Sequence, residues 1–200
     1  MDQLDQLKQV MATLRKQCPW DKVQTHQSLV THLREETAEV IEAIEAGNDD
    51  DLSEELGDLL LQVYFHAEIA DGEGRFDISD VARGVTEKLI RRHPHVFAGA
   101  QPPKDKDATW ESIKRAEKGR KSVLEGIPVS LDTLVRAQRV VSRAVSNQVE
   151  IELASETITA EEVGQQIIDL ICRAQASGVD ADQATRMALR DLEKVILHNE

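Results

Sequence analysis

The amino-acid sequence predicts an all-α protein. Apolar residues recur three and four positions apart along most of the chain, and strand-like alternation is not convincing anywhere. Only 10 Gly and 5 Pro interrupt 200 residues, too few breakers for a many-turned β fold. Aromatic residues make up 3% of a chain that is 40% hydrophobic, so the core is aliphatic and suits packed helices.

The elements follow in order. Leu4, Leu7, Val10, Met11 and Leu14 mark a first helix, stopped by Cys18-Pro19-Trp20-Asp21 because Pro19 cannot donate within a helix. A second helix is predicted from Thr25 or Ser28 to Ala46, with Gly47 as its C-cap. Asp51 and Glu54 resemble a capping box opening a third helix that runs to about Ala70. Asp71-Gly72-Glu73-Gly74 is a turn, and a fourth helix follows Asp77 or Ser79 and stops before Pro94. Residues 98–107 form a loop, and Thr109–Lys118 a short helix closed by Gly119. Three more helices are expected, starting at Ser130, at Thr159 with Glu162 as capping partner, and over about Asp182–Leu197. The domain boundary is placed near Gly126–Ser130, giving units 1–126 and 127–200. A weak repeat links them: three of eight positions are identical between 54–61 and 161–168, and Gln165 stands where the first copy has Asp58.

The net charge of −13 argues against a general nucleic-acid binder and against a polybasic membrane-surface protein. No apolar run is long enough to span a bilayer, and the N-terminal residues lack the basic and apolar regions of a secretory signal. Two distant cysteines, Cys18 and Cys172, do not make a disulfide framework or a Cys-based zinc site. These features fit a cytoplasmic protein with reduced thiols.

The charges are segregated. Residues 31–58 hold eleven acids and one base, Arg34, while residues 83–121 hold eleven bases and five acids. Each helical residue turns about 100°, so Glu36 falls only about 20° from Leu29, inside the stripe formed with Leu33, Val40 and Ile44. Glu39 lies at its edge. On the third helix Leu52, Leu56, Leu59 and Val63 form a stripe, with Glu55 at its margin and Asp58 its i+3 neighbour. Two helices thus each offer a carboxylate pair beside the core. Converging acids repel unless a cation holds them, and an oxygen-only set suits Mg²⁺ or Mn²⁺ rather than zinc. The plainer alternative is that Glu36 snorkels to solvent and Glu55 pairs with a lysine. Lys88 and Arg92 fall on the inward Val81–Val85–Leu89 side of the fourth helix, suited either to a salt-bridge network with the acids or to a phosphate-bearing ligand. Trp110 and Lys114, one turn apart, add a stacking face and a cation, although core packing explains Trp110 equally well. His26, His32 and His66 have no Cys or Asp partner at catalytic spacing, and no phosphate-cradling glycine loop is present.

Cys18-Pro19-Trp20-Asp21, Gln24-Thr25-His26, Glu35-Glu36-Thr37-Ala38-Glu39, Glu54-Glu55-Leu56-Gly57-Asp58 and the run Lys88–Phe97 together resemble the MazG family of nucleoside triphosphate pyrophosphohydrolases, over roughly residues 1–120. The resemblance implies a helical bundle whose core is shared across a dimer or higher oligomer. It implies Mg²⁺ ligands and catalytic carboxylates at Glu36, Glu39, Glu55 and Asp58, with Mn²⁺ as a substitute. It also implies phosphate contacts at Lys88 and Arg92, and Trp110 and Lys114 near the nucleotide. The implied reaction splits a nucleoside triphosphate between its α and β phosphates, giving monophosphate and pyrophosphate, in a nucleotide-pool housecleaning role. The second half lacks a Glu-Glu-x-x-Glu segment and places Asp191 and Val195 where the first has Lys88 and Arg92, so it is expected to be catalytically silent. The competing readings are a non-catalytic nucleotide- or protein-binding module and a phosphoribosyl-ATP pyrophosphohydrolase.

Overall fold

The computed structural model describes residues 2–101, 113 and 117–200, and every described element is helical. The chain divides into two compact units, Met1–Phe97 and Ala98–Glu200.

In the first unit α1 (Gln3–Gln17) gives way directly to α2 (Pro19–Val23). Pro19 stops one helix and starts the next: it has no N–H to offer α1, and its fixed φ suits the first position of α2. The sequence suggested only the stop. Thr25 and Ser28 then close a turn by reciprocal bonds, Thr25 N–H to Ser28 Oγ at 2.9 Å and Ser28 N–H to Thr25 Oγ1 at 3.1 Å. This delivers the chain to α3 (Val30–Ala46).

Gly47, in the left-handed region at φ 66°, ends α3. Asn48 opens α4 (Asp49–Gly72), its side-chain oxygen accepting from the N–H groups of Asp50 and Asp51 at 3.1 and 3.3 Å. The helix therefore starts before the Asp51–Glu54 position suggested by the sequence. Asp49, Asp50 and Asp51 occupy its first turn, where the helix dipole favours negative charge. A two-residue link makes α3 and α4 an antiparallel hairpin.

Met11, Leu29, Tyr64, Phe65 and Ile69 form the buried centre of this unit, flanked by Leu7, Leu14, Leu61 and Ile78. The opening of α5 (Ile78–Arg92) is a capping box between Asp77 and Asp80, and Lys8 on α1 donates to Asp77 at 3.0 Å. Pro94 begins the short α6 (Pro94–Phe97).

In the second unit α7 (Thr133–Ser146), α8 (Ala160–Ala176) and α9 (Ala181–Asn199) accompany a core of Val123, Ile127, Val140, Ala144, Leu189 and Ile196. Arg143, buried on α7, donates to the carbonyls of Val123 and Glu125 at 3.0 and 2.7 Å. The division between units thus falls earlier than the 126/127 boundary read from the sequence, because Val123 belongs to the second core. The Thr159–Glu162 capping box of α8 forms as read. Most of the expected 109–118 helix, and most of the 98–107 loop, lie outside the described residues. Among the described residues no helix is long and apolar enough to cross a membrane.

Candidate metal centre

The α3–α4 hairpin brings its acids together. One carboxylate oxygen from each of Glu36, Glu39 and Glu55 lies within 4.8 Å of the other two. Glu36 and Glu55 are half-buried and Glu39 is exposed. Asp58 stands outside that close trio, but its charge acts on both Glu36 and Glu55. The i, i+3 spacing on each helix turns two side chains toward the facing helix, and the short turn sets them level.

The cost of this arrangement is visible in the acidities. Burial, then the negative charges of Asp58, Glu39 and Glu55, and a hydrogen bond with Glu39 hold the Glu36 carboxyl above its ordinary value. Glu55 is raised by partial burial and by Glu39, Asp58, Glu54 and Asp51. The charges that raise these two carboxyls come from α3 and α4. A divalent cation reverses the balance by favouring the ionised form. Clustered, oxygen-only, partly water-accessible donors match what Mg²⁺ or Mn²⁺ takes from a protein.

The other site residues read from the sequence are placed differently. Arg92 is buried, at 8% exposure, and Lys88 is half-buried on α5. Val81, Val85 and Leu89, expected to face inward, are exposed on the single chain. Ile44 and Leu56, expected within core stripes, are 59% and 49% exposed. Periodicity correctly marks these stripes as apolar, yet the chain's own core takes up only part of the apolar surface of α3, α4 and α5. Trp110 and Lys114 lie outside the described residues. In the second unit Gln165 donates to Asp169 at 2.9 Å, and Asp191 pairs with Lys194.

Two groupings were not foreseen. His26 and His66 meet with nearly parallel rings, their centroids 5.0 Å apart and their Nδ1 atoms 2.8 Å apart. Arg75 Nη2 donates to His26 Nε2 at 2.6 Å. Arg75 has no acceptor, so His26 carries its proton on Nδ1 and donates to His66 Nδ1. This pair links residues 40 positions apart, and no local spacing signals it. The other grouping is Trp20 edge-on to both His32 and Phe65, with centroids 5.9 and 6.2 Å apart.

Taken together, the fold and the site define an all-helical protein that carries a carboxylate cluster on a helical hairpin. Comparison with known proteins is consistent with that class. Residues 24–97 match the family model of the MazG nucleotide pyrophosphohydrolase domain. The chain is 46% identical over 154 residues to a nucleoside triphosphate pyrophosphohydrolase of Escherichia coli strain K12, an alignment covering 73% of this chain and 59% of that protein. It is 53% identical over 119 residues to the nucleoside triphosphate pyrophosphohydrolase/pyrophosphatase MazG of Thermotoga maritima, covering 58% of this chain and 46% of the relative. It is 42% identical over 189 residues to a 26.1 kDa protein encoded in the blaB 3' region of Streptomyces cacaoi, covering 90% of this chain and 75% of that one. The chain belongs to the MazG family. It spans 59% of the length of the Escherichia coli relative.

Proposed function

We propose that this protein hydrolyses nucleoside triphosphates between the α and β phosphates, releasing a nucleoside monophosphate and pyrophosphate. The observation that carries the reading is the meeting of Glu36, Glu39 and Glu55 within 4.8 Å, on the segment that matches the family model. The names of the Escherichia coli and Thermotoga maritima relatives support the reaction type.

In this reading Glu36, Glu39, Glu55 and Asp58 hold Mg²⁺ or Mn²⁺. When bound, the metal neutralises phosphate charge and makes water a better nucleophile. A carboxylate of this cluster serves as the candidate for taking the water's proton. Glu35 points elsewhere, toward His32 Nδ1 at 3.2 Å. Lys88 and Arg92 supply positive charge to the departing pyrophosphate, and Trp110 and Lys114 lie near the nucleotide. The working form is a homo-oligomer, most simply a dimer, in which a second copy covers the exposed apolar residues Ile44, Leu56, Val81, Val85 and Leu89. Light scattering checks that assembly. The protein works in the cytoplasm on nucleotides and needs neither nucleic acid nor membrane.

The test is product chromatography after incubation with a panel of ribo- and deoxyribonucleoside triphosphates, with Mg²⁺ and with EDTA. Monophosphate plus pyrophosphate, abolished by EDTA and by Glu55→Gln, is the expected result. Nucleotide binding without product overturns the catalytic reading in favour of a binding module.

A further inference from the structure

Trp20 is 52% exposed, yet its surroundings are heavily braced. Arg15 on α1 donates to the carbonyl of Asp21 and, at 3.1 Å, to that of Gln24. The Gln24 amide donates to the Trp20 carbonyl at 3.0 Å, and the Ser28 hydroxyl to the Gln24 side chain at 2.7 Å. The same Arg15 lies over the Phe65 ring, one of the two rings that meet the indole. His32, the other, is oriented in turn by Glu35. Interplanar angles of 66° and 82° mean that neither neighbour lies parallel over the indole. A large aromatic group is thus fixed in place while remaining open to solvent. Core packing alone does not call for that combination.

Its location gives it a use. His32 precedes Glu36 by one turn of α3 and Glu39 by two turns. At 1.5 Å per residue the aromatic pair stands about 6 to 10 Å along the helix from the carboxylates. A nucleotide whose phosphates sit at the acids extends its ribose and base over a span of that order. We propose that Trp20, with His32 beside it, is the platform on which the nucleobase of the substrate stacks. The inference rests on the nucleotide reading above and deepens it. Stacking on an indole uses the π face that every base has, so the platform recognises a base as such and sets nucleoside triphosphates apart from inorganic polyphosphates. The Nε2 of His32, the ring nitrogen not bonded to Glu35, is the polar group placed to meet the base edge.

The experiment compares wild type, Trp20→Ala and Trp20→Phe in steady-state kinetics with a nucleoside triphosphate. Inorganic tripolyphosphate serves as the competing ligand that has no base, and circular dichroism monitors the fold. Losing a base–aromatic stack raises KM by roughly ten-fold or more in Trp20→Ala. Trp20→Phe restores most of it, kcat changes little, and the inhibition constant of tripolyphosphate stays at the wild-type value. If wild type turns over but Trp20→Ala keeps its KM, the platform is wrong and the nucleotide reading stands. If KM and the tripolyphosphate constant move together, Trp20 acts only by supporting the fold and the proposal fails. If wild type neither binds nor hydrolyses any nucleotide, the underlying reading fails and the platform falls with it.

Discussion

Glu36→Gln separates the electrostatic cost of the acid cluster from its use. Within 4.8 Å of one another, two carboxylates repel by at least about 1 kcal/mol in a water-like dielectric and about 3 kcal/mol at an effective dielectric of 20. Glu36 is half-buried and water reaches the cluster, so the lower figure applies to each neighbour relieved. The metal-free variant is therefore expected to unfold at a higher temperature than metal-free wild type. About 1 kcal/mol corresponds to roughly 4–8 °C for a unit of about 100 residues. A divalent cation reverses the order. At roughly a hundred times its Kd it stabilises wild type by about 2.7 kcal/mol, while the variant, with one ligand made neutral, gains far less. Scanning calorimetry in EDTA and in saturating Mg²⁺ or Mn²⁺ gives the four melting temperatures. The sign with pH follows from the same groups. Glu36 and Glu55 are raised in the folded state, so without metal the fold holds protons that the unfolded chain has released. Metal-free stability falls as pH rises from the ordinary carboxylate range through the raised value, and the cation removes that fall. A wild-type melting temperature that ignores both cations refutes the reasoning. So does a Glu36→Gln protein less stable than wild type in EDTA.

Three further outcomes are expected. The Asp80 backbone N–H, and then Lys8, hold the Asp77 carboxyl below its ordinary pKa. Its stabilising effect is present above the ordinary carboxylate value and lost as pH falls through the lowered one, so Asp77→Ala lowers the melting temperature at neutral pH and flattens its acid limb. Burial and His26 hold His66 below its ordinary value, so its neutral form stabilises the fold above pH ~6.5, and that contribution is lost as pH falls. His66→Leu should weaken this mildly acidic loss in urea titrations run across that range. Ile196 is fully buried in the second core, and Ile196→Ala should cost about 2–5 kcal/mol in urea unfolding.

Much of the fold was readable because helices announce themselves locally. The Pro19 stop, the Gly47 cap and the Thr159–Glu162 box each involve residues only a few positions apart. The Glu36–Glu39 and Glu55–Asp58 pairs were readable for the same reason, since i, i+3 spacing and helical rotation are properties of one helix. What periodicity does not reveal is which body covers a stripe. Val81, Val85 and Leu89 were marked as apolar, but their exposure on the single chain depends on packing that no local pattern encodes. The His26–His66 contact joins a loop to the middle of α4 and left no signature. Trp20 was noticed as part of a helix-stopping turn, although the surrounding hydrogen bonds hold the backbone around it and its indole meets the rings of His32 and Phe65. The domain boundary missed Val123 because a short apolar segment after Gly119 gives no hint of which core it enters.

The turn at Gly47–Asn48 lies outside the acid cluster, yet it acts as the gauge for the whole of it. One residue added there advances α4 by about 1.5 Å and rotates it by about 100°. Both helices would survive with their caps, but Glu55 and Asp58 would swing away from Glu36 and Glu39. Gly47 holds a left-handed backbone and Asn48 holds two amide protons of the next helix, so the link has little freedom to slip. The spacing between the acids of α3 and those of α4 is thus written into two residues outside the cluster. An insertion at this turn is the change most able to silence the site while leaving a well-folded helical protein behind.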